Sequence, residues 1–264
     1  MDFKGKKIWI TGASSGIGEA TSMKFAKLGA ELIISSHEPE ELERVCKACS
    51  DLGAKCTMIP FDLSKQDEVQ SAANKVIEDF GAVDIFFSNG GVSQRAEVLD
   101  TPLHIDRFIM EVNYFSGITI TKTLLPAMLK NGGGHIVATS SIAGDFGFRL
   151  RSAYSASKHA VYGFYETLRA EMKDKGIKAT VVSPGRVKTN ISVNAIDKQG
   201  KAHGKMDAGQ DGGITAEKCA DKIIKALKKN KPVAYIGGKE LLMVYIKRFF
   251  PRIFFRIVSK IDPT

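Results

Sequence analysis

Seven short, mostly apolar runs punctuate the chain, at residues 7–10, 31–35, 56–60, 83–87, 135–139, 177–183 and 233–236. Runs of this length bounded by glycines and polar turns read as buried strands. Longer stretches of helical periodicity fall between them, at 19–28, 40–52, 64–80, 101–130 and 152–173. Gly29, Gly53 and Gly81 stand where three of these should stop, and Ser64 stands where one should be capped. The stretch from Thr101 through Asn113 to Lys130 reads as one long helix. Strands that alternate with helices of ten or more residues imply right-handed crossovers and a parallel sheet covered on both faces. The expected fold class is α/β: one domain with a doubly wound, seven-stranded parallel sheet. Ligands of such sheets sit beyond the carboxyl ends of the strands. The turns at Gly12, Asn89, Ser141 and Pro184 all follow strands and should meet in one crevice.

Composition narrows this picture only a little. With 264 residues, 44% of them hydrophobic, the chain can bury a large core. Cys46, Cys49, Cys56 and Cys219 are too few for a disulfide scaffold and suit a reducing compartment. Cys46 and Cys49 form a C-x-x-C, which reads as two small residues one helical turn apart, because no second Cys/His pair completes a zinc site. Met1 leads through Lys4-Gly5-Lys6-Lys7 into the first strand, so neither a signal peptide nor an N-terminal anchor is expected, and the expected location is cytoplasmic. The net charge of +9 suits an anionic cofactor or membrane surface; no nucleic-acid module is visible and no nucleic-acid partner is expected.

The candidate chemistry lies in two clusters. Thr11-Gly12-Ala13-Ser14-Ser15-Gly16-Ile17-Gly18 joins the first strand to the first helix. Glycines there let a pyrophosphate approach the backbone, and the helix start supplies free N–H groups and a positive dipole end. After the second strand the chain reads Ser35-Ser36-His37-Glu38. Ser36 stands where an acid would bind a ribose 2′-hydroxyl, and Ser36 and His37 can both donate to a 2′-phosphate. NADP(H) is therefore favoured over NAD(H), which Glu38 keeps open. The second cluster is Tyr154 and Lys158, four residues apart on one helix face, with Ser141 thirteen residues upstream. A neighbouring ammonium should lower the phenol's pKa and make it a proton carrier. Ser141 could donate to a substrate oxygen, and Asn113 could hold a water that links Lys158 to solvent.

These motifs resemble the short-chain dehydrogenase/reductase family from about Lys6 to Ile236. The family's T-G-x-x-x-G-x-G falls on Thr11 to Gly18, its adenine-side Asp on Asp62, and its Asn-Ser-Tyr-Lys tetrad on Asn113, Ser141, Tyr154 and Lys158. Its P-G-x-V-x-T, which contacts the nicotinamide, falls on Pro184-Gly185-Arg186-Val187-Lys188-Thr189. The resemblance implies a Rossmann fold and a cofactor site that includes Gly12, Ser14, Ser15, Gly16, Ile17, Gly18, Ser36, His37, Asp62, Leu63, Asn89, Gly90, Tyr154, Lys158, Pro184, Gly185, Val187 and Thr189. Ser141 and Tyr154 would touch the substrate. No metal is implied. It also implies a homo-oligomer, a dimer or tetramer. The family's N-N-A-G appears as Ser88-Asn89-Gly90-Gly91, where the extra glycine should loosen the turn. Phrases around Asn113, Tyr154 and Asn194 are similar to the hydroxysteroid-dehydrogenase-like, membrane-associated branch. That likeness implies interconversion of a carbonyl and a secondary alcohol on a lipophilic, lipid- or steroid-like small molecule. The alternative is a catalytically silent dinucleotide-binding sensor or scaffold, although such a chain would be expected to lose Tyr154 or Lys158.

Two segments stand apart from the 1–238 domain pattern. Residues 190–213 are long, polar and glycine-rich and read as a substrate lid within it. Residues 239–264 read as an amphipathic helical tail. There, Arg248, Arg252, Arg256 and Lys260 recur every four residues among Phe249, Phe250, Ile253, Phe254 and Phe255. Such a pattern suits peripheral contact with the cytoplasmic face of a membrane, or packing on a second subunit.

Overall fold

A computed structural model of the chain describes residues 2–261. Seven strands form one parallel sheet: β1 (Lys7–Thr11), β2 (Glu31–Ser35), β3 (Cys56–Met58), β4 (Ile85–Ser88), β5 (Gly134–Thr139), β6 (Ile177–Pro184) and, after two short strands outside the sheet, β9 (Val233–Ile236). Their order is β3-β2-β1-β4-β5-β6-β9, so the winding reverses between β1 and β4. The side-chain period of two sets the two faces. Ile8 and Ile10 of β1 point into one buried cluster with Phe25, Leu42, Val45, Ile223 and Leu227. Trp9, between them, points into the other with Phe86, Val69, Ile120, Val161 and Tyr165. Register holds Trp9 beside Ile33 and Phe86, making a continuous apolar row across the sheet centre.

The helices on the first face are α1 (Gly16–Lys27), α2 (Pro39–Asp51) and α8 (Ala216–Lys228); those on the second are α3 (Gln66–Phe80), α5 (Ser116–Lys130) and α6 (Ser152–Glu171). The sequence reading did not anticipate α8. Cys219, Ala220, Ile223, Ile224 and Leu227 recur at helical spacing and are buried. Thr215 caps this helix by accepting from the Lys218 N–H.

Three further local expectations need correction. The helix expected from Thr101 to Lys130 is α4 (Leu103–Met110), a π-helical turn over Glu111–Phe115, and then α5. Ser64 does not cap α3: Lys65 is the N-cap residue, and the Ser64 N–H donates instead to Asp62 Oδ1 at 2.8 Å. Gly90 does not loosen its turn: its N–H donates to Thr11 Oγ1 at 3.3 Å, and Leu63 Cδ1 packs over it, 2.3 Å from where a Cβ would lie. Ser88, which stands where the family has asparagine, faces the buried Tyr165 hydroxyl.

Residues 190–213 cross back over the strand ends. Isolated bridges join Ile196 to Gln94 and to Ala202. The segment ends in α7 (Ala208–Asp211), between β7 (Val187–Lys188) and β8 (Ile214–Thr215), which pair in parallel. The tail folds as α9 (Leu242–Phe249) and α10 (Pro251–Val258), with Pro251 restarting the helix after Phe250. Residues 262–264 of the expected tail lie outside the described residues. Among the described residues no helix is long and apolar enough to cross a membrane. No group of His, Cys, Asp and Glu that could hold a metal is found among them either. Cys49 is buried against Met23 Sδ at 3.7 Å, in keeping with the plain reading of the C-x-x-C.

Candidate active site

A cleft of about 730 Å³ opens beyond the carboxyl ends of β1, β4, β5 and β6, where the winding of the sheet reverses. One half is the glycine turn. Gly12 and Gly16 have φ of +63° and +57°, and α1 begins at Gly16 with no side-chain cap bond from Ser15. The first backbone N–H groups of α1 therefore remain available to an anion. Gly18 supports the turn from behind: a Cβ there would lie 2.0 Å from Gly12 O, so the helix can pack this close only without a side chain. Asn89 ties the strand ends together. Its Nδ2 donates to Thr11 O and Gly12 O at 3.3 and 3.1 Å, and its Oδ1 accepts from Thr139 Oγ1 at 3.2 Å. This geometry fits a dinucleotide pyrophosphate.

At the end of β2 the hydroxyls are already engaged. Ser36 Oγ donates to Ser14 Oγ at 2.9 Å, and Ser14 Oγ donates to Glu38 Oε2 at 2.7 Å. Arg44 donates to Ser14 O, but it is also paired with Glu19 and Glu41. His37 lies near Asp62. Burial pushes the Asp62 carboxyl up, but hydrogen bonds from Ser64 and the nearby imidazole hold it below the usual range.

The other half holds Ser141, Tyr154 and Lys158. Ser141 leaves β5 in extended backbone and accepts from the Ala143 N–H at 3.2 Å. The loop behind it is fixed by Asp145, whose carboxylate accepts from Tyr162 and Tyr235 at 3.2 and 2.7 Å. Tyr154 and Lys158 sit in the first two turns of α6. Lys158 Nζ donates to Thr139 O at 2.9 Å and lies 5.8 Å from the Tyr154 ring centroid. Burial lowers the Lys158 ammonium to about 8. For Tyr154 the balance runs opposite to the sequence expectation. Burial raises the phenol above its ordinary value, opposed by a hydrogen bond with Ser141 and by the charges of Arg151 and Arg95. The polypeptide alone thus keeps Tyr154 protonated, with the Lys158 ammonium 5.8 Å from its ring centroid.

Asn113 lies behind this wall rather than in the cleft. Its Oδ1 accepts from the Val92 N–H at 2.8 Å, and its Nδ2 donates to Val92 O at 2.9 Å and to Ser157 Oγ at 3.0 Å. Ser157 Oγ in turn donates to Tyr154 O at 2.8 Å. Gly18 and Asn113 are the two expected site residues outside the cleft lining; the other expected residues all line it.

The sequence reading missed a buried ionic knot at the substrate end. Asp207, from the 190–213 crossing, accepts from Arg95 through both of its oxygens and from Arg151 Nη2 at 2.9 Å. Arg95 and Asp207 lie 112 residues apart, so no local pattern could pair them. Arg151, three residues before Tyr154, was visible only as a neighbour. Phe108, Phe146, Phe148 and Met243 also line this end.

Residues 6–200 match the family model described as short chain dehydrogenase. The chain belongs to the short-chain dehydrogenase/reductase family. It is accordingly a NAD(P)-dependent oxidoreductase. It is 39% identical over 257 residues to Dehydrogenase/reductase SDR family member 7B of Xenopus laevis, covering 95% of this chain and 80% of that protein. It is 37% identical over 261 residues to Dehydrogenase/reductase SDR family protein 7-like of Drosophila melanogaster, covering 97% and 80%. Solved family members share the fold. A short-chain dehydrogenase from Streptomyces avermitilis superposes with a TM-score of 0.81 at 26% identity, covering 95% of each chain. A short-chain dehydrogenase/reductase from Burkholderia phymatum, solved in complex with NAD, superposes with a TM-score of 0.85 at 24% identity, covering 100% of this chain and 98% of that one.

Proposed function

We propose that this enzyme interconverts a carbonyl and a secondary alcohol on a lipophilic small molecule, with NADP(H) as the favoured cofactor. The observation that carries the reading is the meeting of Ser141, Tyr154 and Lys158 in the same cleft as the glycine turn. Bound cofactor supplies or accepts the hydride. The Tyr154 hydroxyl gives its proton to the substrate oxygen in reduction and takes it back in oxidation. Its raised pKa suits the donor role. Ser141 donates a hydrogen bond to the same oxygen and stabilises the charge that develops on it. Lys158, fixed on the Thr139 carbonyl, brings positive charge to the proton's path. Asn113 holds Val92 and Ser157 in position through its amide donors, and in this reading it also supports the water relay that links Lys158 to solvent.

The lipophilic substrate is supported by the apolar lining from Val92, Phe108, Phe146, Phe148, Ile196 and Met243. In this reading residues 190–213 are the substrate lid. Ser36 and His37 support NADP(H), and the Glu38 carboxylate opposes it. The reading also takes the enzyme to be a cytoplasmic dimer or tetramer in peripheral contact with a membrane through its tail.

Tyr154→Phe should lower NADPH-dependent turnover of lipophilic ketones at least about 100-fold while cofactor binding, followed by nucleotide fluorescence, is unchanged. Turnover that survives the substitution would refute the assigned proton donor. Glu38→Gln should shift the ratio of kcat/KM for NADPH over NADH toward NADPH. A wild-type enzyme that prefers NADH would overturn the cofactor assignment.

A further inference from the structure

Tyr154 is the third residue of α6, in a first turn whose backbone N–H groups have no partner inside the helix. Arg151, the N-cap residue, has no side-chain acceptor to offer them. The cap comes from elsewhere in the chain. Gln94, on the segment that follows β4, is fully buried, and its Oε1 accepts from the Ala153 and Tyr154 N–H groups at 2.9 and 3.3 Å. Its Nε2 donates to Thr101 Oγ1 at 3.0 Å and to Ser152 Oγ at 3.3 Å. Thr101 Oγ1 donates in turn to Glu97 O at 2.8 Å, so the far end of the amide is anchored too. The backbone around Gln94 is strapped on both sides. On one, the Arg95 N–H donates to Ile196 O at 2.8 Å and the Ile196 N–H donates to Ser93 O at 2.9 Å. On the other, the Ala96 N–H donates to Leu150 O at 3.2 Å, and Ala96 bridges Arg151. One buried amide therefore joins the 190–213 crossing to the turn of helix that carries the phenol.

We propose that Gln94 is a positioning residue for the reaction, fixing Tyr154 from the backbone side and making the seat of the phenol depend on Ile196 of the crossing. The inference rests on the reading of Tyr154 as the proton carrier. A first helical turn frays where its N–H groups are not capped, and proton transfer tolerates little displacement of the hydroxyl. A glutamate would cap these groups at least as well, because a helix N-terminus favours negative charge. The neutral amide caps them without setting an anion beside the phenol. The charges that face Tyr154 are those of Arg151 and Arg95, which share Asp207, and the Lys158 ammonium 5.8 Å from its ring centroid. Arg151 and Arg95 favour the phenolate, and a carboxylate in place of the amide would offset them. Glutamine rather than glutamate thus has a chemical reason here that helix stability does not supply.

The test compares Gln94→Met, which keeps the length of the side chain and removes its bonds, with Gln94→Glu, which keeps the two caps and adds a charge. Gln94→Met should lower kcat at least about tenfold, while cofactor affinity, read by nucleotide fluorescence, stays at the wild-type value. Gln94→Glu should reduce ketones at neutral pH with close to the wild-type kcat. Its pH profile for alcohol oxidation should move up by about one pH unit, because the phenol must lose its proton to act as the base and the added anion opposes that loss. The link to the crossing is read from Ile196→Pro, which removes the N–H that holds Ser93 O. It should cost turnover by itself and little more in the Gln94→Met background. Wild-type kcat in a folded Gln94→Met, or coincident pH profiles for Gln94→Glu and wild type, would overturn the positioning role. If Gln94→Met does not fold, the profile decides. Losses that multiply in the double variant would cut the crossing out of the proposal. Turnover retained by Tyr154→Phe would sink the proton-donor reading, whereas an inactive Tyr154→Phe beside a fully active Gln94→Met would remove the role of Gln94 alone.

Discussion

Lys158 is a buried ammonium whose pKa burial lowers from 10.5 to about 8. Between those two values the unfolded chain binds more protons than the folded one, so stability should rise with pH across that window. Below pH 8 both states are protonated and the unfavourable contribution of burying the charge is complete. Lys158→Met removes the titration. The urea midpoint of wild type should therefore gain on that of Lys158→Met between pH 8 and 10.5, and parallel curves would contradict the burial. Tyr154 shows how far a sequence argument at this scale can reach. Its spacing from Lys158 correctly put both on one helix face, but only the fold shows how deeply each is buried, and burial is what raises the phenol. Gly90 teaches the same lesson, because a turn motif does not reveal that Leu63 packs over it.

The elements differ in how plainly the chain announced them. The strands of the sheet were legible because both of their faces are buried and their side chains form near-continuous apolar runs. The π-helical turn at Glu111–Phe115 was not, because one extra residue per turn leaves no mark in composition or periodicity. That turn brings Asn113 to the backbone of Val92, which follows β4. Asn113→Leu should leave the Val92 N–H and C=O short of a partner, at roughly 1–3 kcal/mol for each stranded group, while the Ser157 hydroxyl keeps its bond to the Tyr154 carbonyl. Urea denaturation checks this, and a loss below about 0.5 kcal/mol would mean that the clamp is dispensable. A fall in turnover larger than the loss of folded protein would fit its positioning role, since Ser157 passes the contact on to the Tyr154 carbonyl.

Across the whole molecule, Asp207 ties the 190–213 crossing to two distant parts of the body. Arg95 comes from the segment after β4, and Arg151 from the residue before α6. Both guanidiniums and the carboxylate are buried, so removing the shared anion is costlier than losing a surface pair. Asp207→Ala should destabilise the fold by about 3–5 kcal/mol, and should speed proteolysis within 190–213 before the rest of the chain is cut. Cleavage first elsewhere, with the crossing still protected, would show that it is held by other contacts. The same tie places two positive charges near the Tyr154 phenol, where they favour its ionised form against the effect of burial.

By itself the sequence determined the winding of the sheet, the place of the crevice and the family, because these depend on local periodicity and on motifs read within a few residues. It also put Tyr154, Lys158 and Ser141 on elements that end at that crevice. The tertiary structure alone decided which charges meet there, that Asn113 faces Val92 rather than the cleft, and that the tail supplies part of the pocket wall. Those outcomes depend on desolvation and on contacts between residues as far apart as Arg95 and Asp207, and such quantities exist only once the chain has closed on itself.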